Sequence, residues 1–185
     1  MIMKLSHAAI LMAGVLALGG CKFDFARTTP PAAKAAAADY QAPVPPSPPV
    51  ANTRAYCYNA SDLDVIRSRM VQQEFVVATL QCQTRGGARA FEGQYASFIN
   101  KYQSELNSNA RALTQVARAK RLNVDVFVTE VANRTAQRAP TDPEFCSRNK
   151  RALDWALDPK VSSLAQVPPP YDLGPEMNIF ACPAR

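Results

Sequence analysis

The stretch "ARAFEGQYASFINKYQSELNSNARALTQVARAKR", residues 88–121, decides the fold of this 185-residue chain. Phe91, Tyr95, Phe98, Tyr102, Leu106, Ala110, Leu113 and Ala117 recur at spacings of 4, 3, 4, 4, 4, 3 and 4. That is the period of one face of an α-helix. Gly93 weakens its first turn by about 1 kcal/mol relative to alanine. An aromatic stripe of this kind can line a ligand groove, but a packing face is its plainer use.

Helical patterning continues on both sides. In "SDLDVIRSRMVQQEFVVATLQC", residues 61–82, Leu63, Ile66, Met70, Val77 and Leu80 form a second stripe. Ser61 reads as its N-cap, Asp62 and Asp64 suit the positive end of the helix dipole, and the Arg-Gly-Gly after Cys82 stops it. "RLNVDVFVTEVANRTAQR", residues 121–138, is ambiguous. Val124, Val126 and Val128 alternate as in a strand, whereas Val124, Phe127, Val128 and Val131 match a helix. Helix capped by Asn123 is the better reading, because a strand without a visible partner is not stable. In "TDPEFCSRNKRALDWAL", residues 141–157, Thr141 and Glu144 are spaced as a capping box with Pro143 near the start. Phe145, Asn149, Ala152 and Ala156 then face one way, with Leu153, Trp155 and Leu157 widening the apolar arc. The tail "VPPPYDLGPEMNIFACPAR", residues 167–185, is too rich in proline for regular structure, yet Ile179, Phe180 and Cys182 imply that it is pinned to the body.

The start of the chain is different in kind. One lysine and an apolar run from about Ala8 to Leu18 describe an export leader, too short to span a bilayer, which takes about 20 residues. Two cleavage readings compete. Ala17-Leu18-Gly19 suits ordinary signal peptidase, which would release a soluble secreted protein. Leu18-Gly19-Gly20-Cys21 is similar to the bacterial lipobox, which implies cleavage before Cys21 and acylation of its sulfur and new N-terminus. The five cysteines, Cys21, Cys57, Cys82, Cys146 and Cys182, favour the second reading: with Cys21 lipidated, four remain and can pair fully in an oxidising compartment. Lys22, where family habit in enteric bacteria places Asp for inner-membrane retention, points to the outer membrane. From Lys22 to Ala55 seven of the fifteen prolines gather and large aliphatic residues nearly vanish. A disordered, polyproline-type spacer is expected there, reaching on the order of 100 Å when extended; a PxxP ligand is the alternative use.

Helix length selects the disulfides. Cys57 and Cys82 flank a helix about 30 Å long, and bridged cysteines need Cα atoms within about 7 Å. With short connections and up-down-up-down helices, Cys82 meets Cys146 at one end and Cys57 meets Cys182 at the other. The expectation is therefore an all-α bundle of about four helices with two disulfides: a leader over residues 1–20, an anchor and linker over 21–55, and a helical domain over 56–185.

The chemistry that is missing narrows function. The one histidine, His7, leaves with the leader, which removes Ser-His and Cys-His catalysis and histidine metal sites. No glycine-rich phosphate loop follows a strand, and neither cofactor nor metal is expected. Carboxylates survive as acid–base candidates: Asp62 with Asp64, Asp142 with Glu144, and Glu92 or Glu105 on the long helix. They could serve a cell-wall hydrolase, although acids in first turns commonly do no more than stabilise helix starts. Without the leader, basic residues exceed acidic ones by about five. Lys120, Arg121, Lys150 and Arg151 are the candidate contacts for an envelope protein or anionic envelope polymer. Nucleic acid is excluded by compartment.

The sequence "AYCYNASDLDVIRSRMVQQEFVVATLQC", then "YASFINKYQSELNSNARALTQ", then "EFC" resembles a group of uncharacterised exported proteins of Gram-negative bacteria. The likeness spans about residues 56–147. It implies an envelope location and brings no activity, ligand or catalytic residue. The expected function is a membrane-anchored periplasmic binding or assembly module, with the bilayer as partner through Cys21.

Overall fold

The computed structural model describes Tyr40, Gln41, Val44, Ser47, Pro48 and residues 56–183. The leader, Cys21 and most of the linker lie outside the described residues. Four helices form the body: α1 Ala60–Gln81, α2 Glu92–Lys120, α3 Val124–Arg138 and α4 Phe145–Leu157. Two disulfides join Cys57 to Cys182 and Cys82 to Cys146, with Cα atoms 4.6 and 5.7 Å apart. This is the pairing expected from helix length and an up-down-up-down order.

The helices do not share the core equally. α1 packs on α2, α3 and α4, while α2 and α3 barely meet. A central helix must be apolar on more than one face, and α1 is: Val71, Phe75 and Ala78 join Leu63, Ile66, Met70 and Val77 in the core, whereas Leu80 is exposed. On α2, Phe98 meets Phe75 edge-on with ring centroids 5.0 Å apart and leads on to Tyr102, Leu106 and Leu113. Ala110 of the expected stripe is exposed, and Asn109 takes its place, donating to the Val65 carbonyl of α1 at 2.7 Å. The ambiguous valine run is helix α3, with the Asn123 side chain accepting from the Val126 amide.

Two expected caps form differently. Asn59 rather than Ser61 caps α1, accepting from the Asp62 amide, and Ser61 donates to Asn59. The Thr141–Glu144 capping box is absent. Thr141 donates to the carbonyls of Gln137 and Arg138 and so closes α3, while Asp142 accepts the Glu144 amide. A short α3–α4 connection leaves one threonine within reach of two helix ends, and it serves the end behind it.

The proline-rich tail is largely buried over its described residues. Val167, Tyr171, Leu173, Met177 and Ile179 enter the core, as do Val161 and Leu164 just before it. Three residues of it, β2 Ile179–Ala181, pair in parallel with β1 Tyr56–Tyr58. This small ladder brings Cys57 beside Cys182; three-residue strands carry too little alternation to be read from sequence. Tyr40, within the stretch whose composition reads as spacer, is fully buried, its hydroxyl donating to the Pro168 carbonyl at 2.8 Å.

Candidate functional site

The densest polar chemistry surrounds Tyr171, where the tail crosses α1, the end of α3 and the start of α4. The Tyr171 ring stacks on Phe145, and the guanidinium carbons of Arg138 and Arg148 lie 5.0 and 5.3 Å from its centre. Its amide donates to Glu74 at 2.9 Å and its hydroxyl to Asp142 at 2.7 Å. Prolines 168–170 have no amide to donate, so Tyr171 is the first residue after them with a backbone donor to offer α1.

Burial and the Asp142 acceptor push the Tyr171 phenol well above the ordinary tyrosine range. Burial likewise pushes Glu74 well above the usual carboxylate range, against the Tyr171 amide and the Arg138 charge. One oxygen of Glu74 is buried with no hydrogen-bond partner. Asp142 goes the other way: burial would raise it, but the Tyr171 hydroxyl, the Glu144 amide and Arg148 together hold it below the usual range. Next to them Glu176, 1% exposed, is bonded by Arg138 and, at 3.0 Å, by Arg134, which also holds Glu130 at 2.7 Å.

A cleft of about 530 Å³ opens over this cluster, lined by Arg134, Arg138, Thr141, Asp142 and Arg148 and by Val44 and Ser47 of the linker. Its arginines are matched by Glu130, Glu176 and Asp142, so the cleft is not a net positive pocket. Two of its guanidinium groups also serve carbonyl oxygens: Arg148 donates to Tyr40 at 2.6 Å and Arg134 to Pro48 at 3.2 Å. A carbonyl-binding floor of guanidinium groups suits an extended peptide. Glu74, beneath it, is fully buried.

Of the residues singled out from sequence, Asp142 belongs to this cluster, where it accepts from the Tyr171 hydroxyl; the others are placed elsewhere and mostly hold the fold. Lys120 donates to the Cys57 carbonyl at 2.8 Å and lies 5.4 Å from the Tyr58 ring centre. Arg121, at φ 54°, is the left-handed residue that ends α2. Lys150 pairs with Asp154 at 2.7 Å, and Arg151 lies 4.0 Å from Glu144. Asp154 also takes Gln94 near the start of α2, so Lys120 lies about 40 Å further along that helix at 1.5 Å per residue. The four cations therefore do not form one patch. Glu105 accepts from Ser163 and the Leu164 amide, Glu144 from Ser147, and Asp62 lies 3.9 Å from Lys120, while Glu92 and Asp64 stand exposed. No helix among the described residues is long and apolar enough to cross a membrane, and no three metal-ligating acids, cysteines or histidines gather there.

The Tyr171 cluster was not foreseen, although a signal existed. Glu74 falls in the gap between Met70 and Val77, on the very stripe read as apolar. Arg138 extends the Phe127–Val131–Thr135 face by three residues. Charges on apolar faces mark these two side chains as buried, Arg138 against Glu176 and Glu74 against the Tyr171 amide. No protein-family model, curated protein or solved structure matches the chain.

Proposed function

We propose that the protein is a lipoprotein of the bacterial envelope, anchored through Cys21, whose helical body is a non-catalytic binding or assembly module facing the periplasm. One observation carries this reading. The two disulfides use Cys57, Cys182, Cys82 and Cys146, so Cys21, at the end of the apolar leader, is the one cysteine of five left over. Acylation gives that sulfur a use in an oxidising compartment. Several acyl chains hold a protein firmly, at about 0.8 kcal/mol per buried methylene. The likeness of residues 56–147 to exported Gram-negative proteins and the Lys22 position belong to the same proposal and favour the outer membrane.

The binding reading stands ahead of a wall hydrolase because Glu105 and Glu144 are engaged in holding loops and helix starts. A Cys21→Ser variant tests the anchor: it moves from the membrane to the soluble fraction, and the native protein's intact mass carries acyl chains. An unacylated native chain in the soluble fraction overturns it. Replacing Glu92, Glu105 and Glu144 together by Gln leaves peptidoglycan turnover unchanged; loss of turnover would favour the hydrolase. Charge reversal at Lys150 and Arg151, or at Arg121, tests the two separated basic sites for partner capture without touching Lys120, whose loss would loosen the fold.

A further inference from the structure

Part of the wall of the cleft over the Tyr171 cluster is the chain's own linker, through Val44 and Ser47. We propose that the cleft is the receptor site for that linker, and that Tyr40 is the latch by which the linker is held. Tyr40 is 0% exposed, although the composition around it is that of a spacer. Its hydroxyl donates to the Pro168 carbonyl at 2.8 Å and its own carbonyl accepts from Arg148 at 2.6 Å. Eight residues later the Pro48 carbonyl accepts from Arg134 at 3.2 Å, and Val44 and Ser47 line the cleft between. The segment therefore meets the body at both ends of the cleft. Recognition is by an aromatic side chain at one end and carbonyl-to-guanidinium bonds along the way. A proline-rich segment suits such a site: four of the nine residues from Tyr40 to Pro48 are prolines without an amide donor, and such a chain loses little entropy on being fixed.

The consequence, which rests on the anchor proposed above, is mechanical. With Tyr40 seated, the free tether runs from Cys21 to Tyr40 and spans about 60 Å at about 3.1 Å per residue, not the order of 100 Å available to Tyr56. The Tyr171 face is then the one from which the tether leaves, and release of Tyr40 lengthens the reach.

Nitration of tyrosines on the full lipidated chain in phosphatidylethanolamine–phosphatidylglycerol vesicles, read peptide by peptide, tests the seat. Tyr40 is expected to react on the order of tenfold more slowly than in the denatured chain, as for a group that needs local opening. Reaction at the denatured rate overturns the proposal. Tyr40→Ser lies outside every helix and both disulfides, so the body still folds. It is expected to lower the melting temperature and, by neutron reflectometry on a supported bilayer, to raise the body from the membrane. An unchanged melting temperature and height overturn the latch. Failure of the anchor is distinguishable, since the protein would then be missing from the vesicles while Tyr40 stayed protected in solution.

Discussion

Tyr171→Phe keeps the ring on Phe145 and between two guanidinium groups and removes only the bond to Asp142. Loss of a hydrogen bond to a charged group is expected to cost about 1.5–3 kcal/mol, read by denaturant unfolding at neutral pH. Asp142 is held below the usual carboxylate range. Its contribution is therefore present above the unfolded carboxylate value, about 3.9, and is lost as pH falls through the depressed folded value. The penalty of Tyr171→Phe should shrink in the same acid window. Glu74 has the opposite sign. Its folded value is raised, so the native state holds the proton longer than the unfolded chain, and stability falls as pH rises from the unfolded carboxylate value through the folded one. Glu74→Gln keeps an acceptor for the Tyr171 amide and is expected to flatten that fall, gaining stability over wild type at alkaline pH; a steeper fall would contradict the assignment. In the sequence Asp142 reads as a helix-start acid and Glu74 as a charge interrupting an apolar stripe, and neither points to Tyr171. What made them a cluster is the tail, whose return to α1 no local pattern encodes.

Helix identity was legible at the level of elements because the apolar period of α2 runs unbroken over many turns. Which helix is central was not legible. α1 looked one-sided until Val71, Phe75 and Ala78 proved as buried as the stripe. Caps were misread where two helix ends lie close, as at Thr141, because spacing alone does not say which end a hydroxyl serves. Lys101 shows how one helix finishes another. Its ammonium donates to the carbonyls of Ala156 and Asp158 at 2.8 Å each, and the Tyr102 hydroxyl to Ala156 at 2.7 Å, at the negative end of α4. Lys101→Met keeps the apolar stem and removes that charge, and is expected to cost about 1 kcal/mol in thermal or urea unfolding. Gly93 is the reverse case. A Cβ built there meets nothing within 4 Å, so Gly93→Ala should stabilise by up to about 1 kcal/mol, seen as a higher melting temperature.

For the whole molecule, composition sets the apolar start and the proline-rich segment apart from the body, and helix length together with an up-down-up-down order is enough to select the two cross-links. Composition could not show that Tyr40 belongs to the packed body, because one aromatic among prolines and alanines carries no period. The two disulfides close the molecule at opposite ends of α1, joining residues 125 and 64 positions apart. Cross-links over such spans restrict the unfolded chain strongly, by about 3–5 kcal/mol each in the chain-entropy picture. They also leave Cys21 as the one cysteine of five outside a cross-link, and the proposed lipid anchor and location rest on that division. The most direct measurement is non-reducing peptide mapping of protein taken from membranes, with intact mass and thiol titration on the same sample. The expected result is peptides linking Cys57 to Cys182 and Cys82 to Cys146, acyl mass on Cys21 and no titratable thiol. A Cys57–Cys82 peptide, or a free unacylated Cys21, would contradict it.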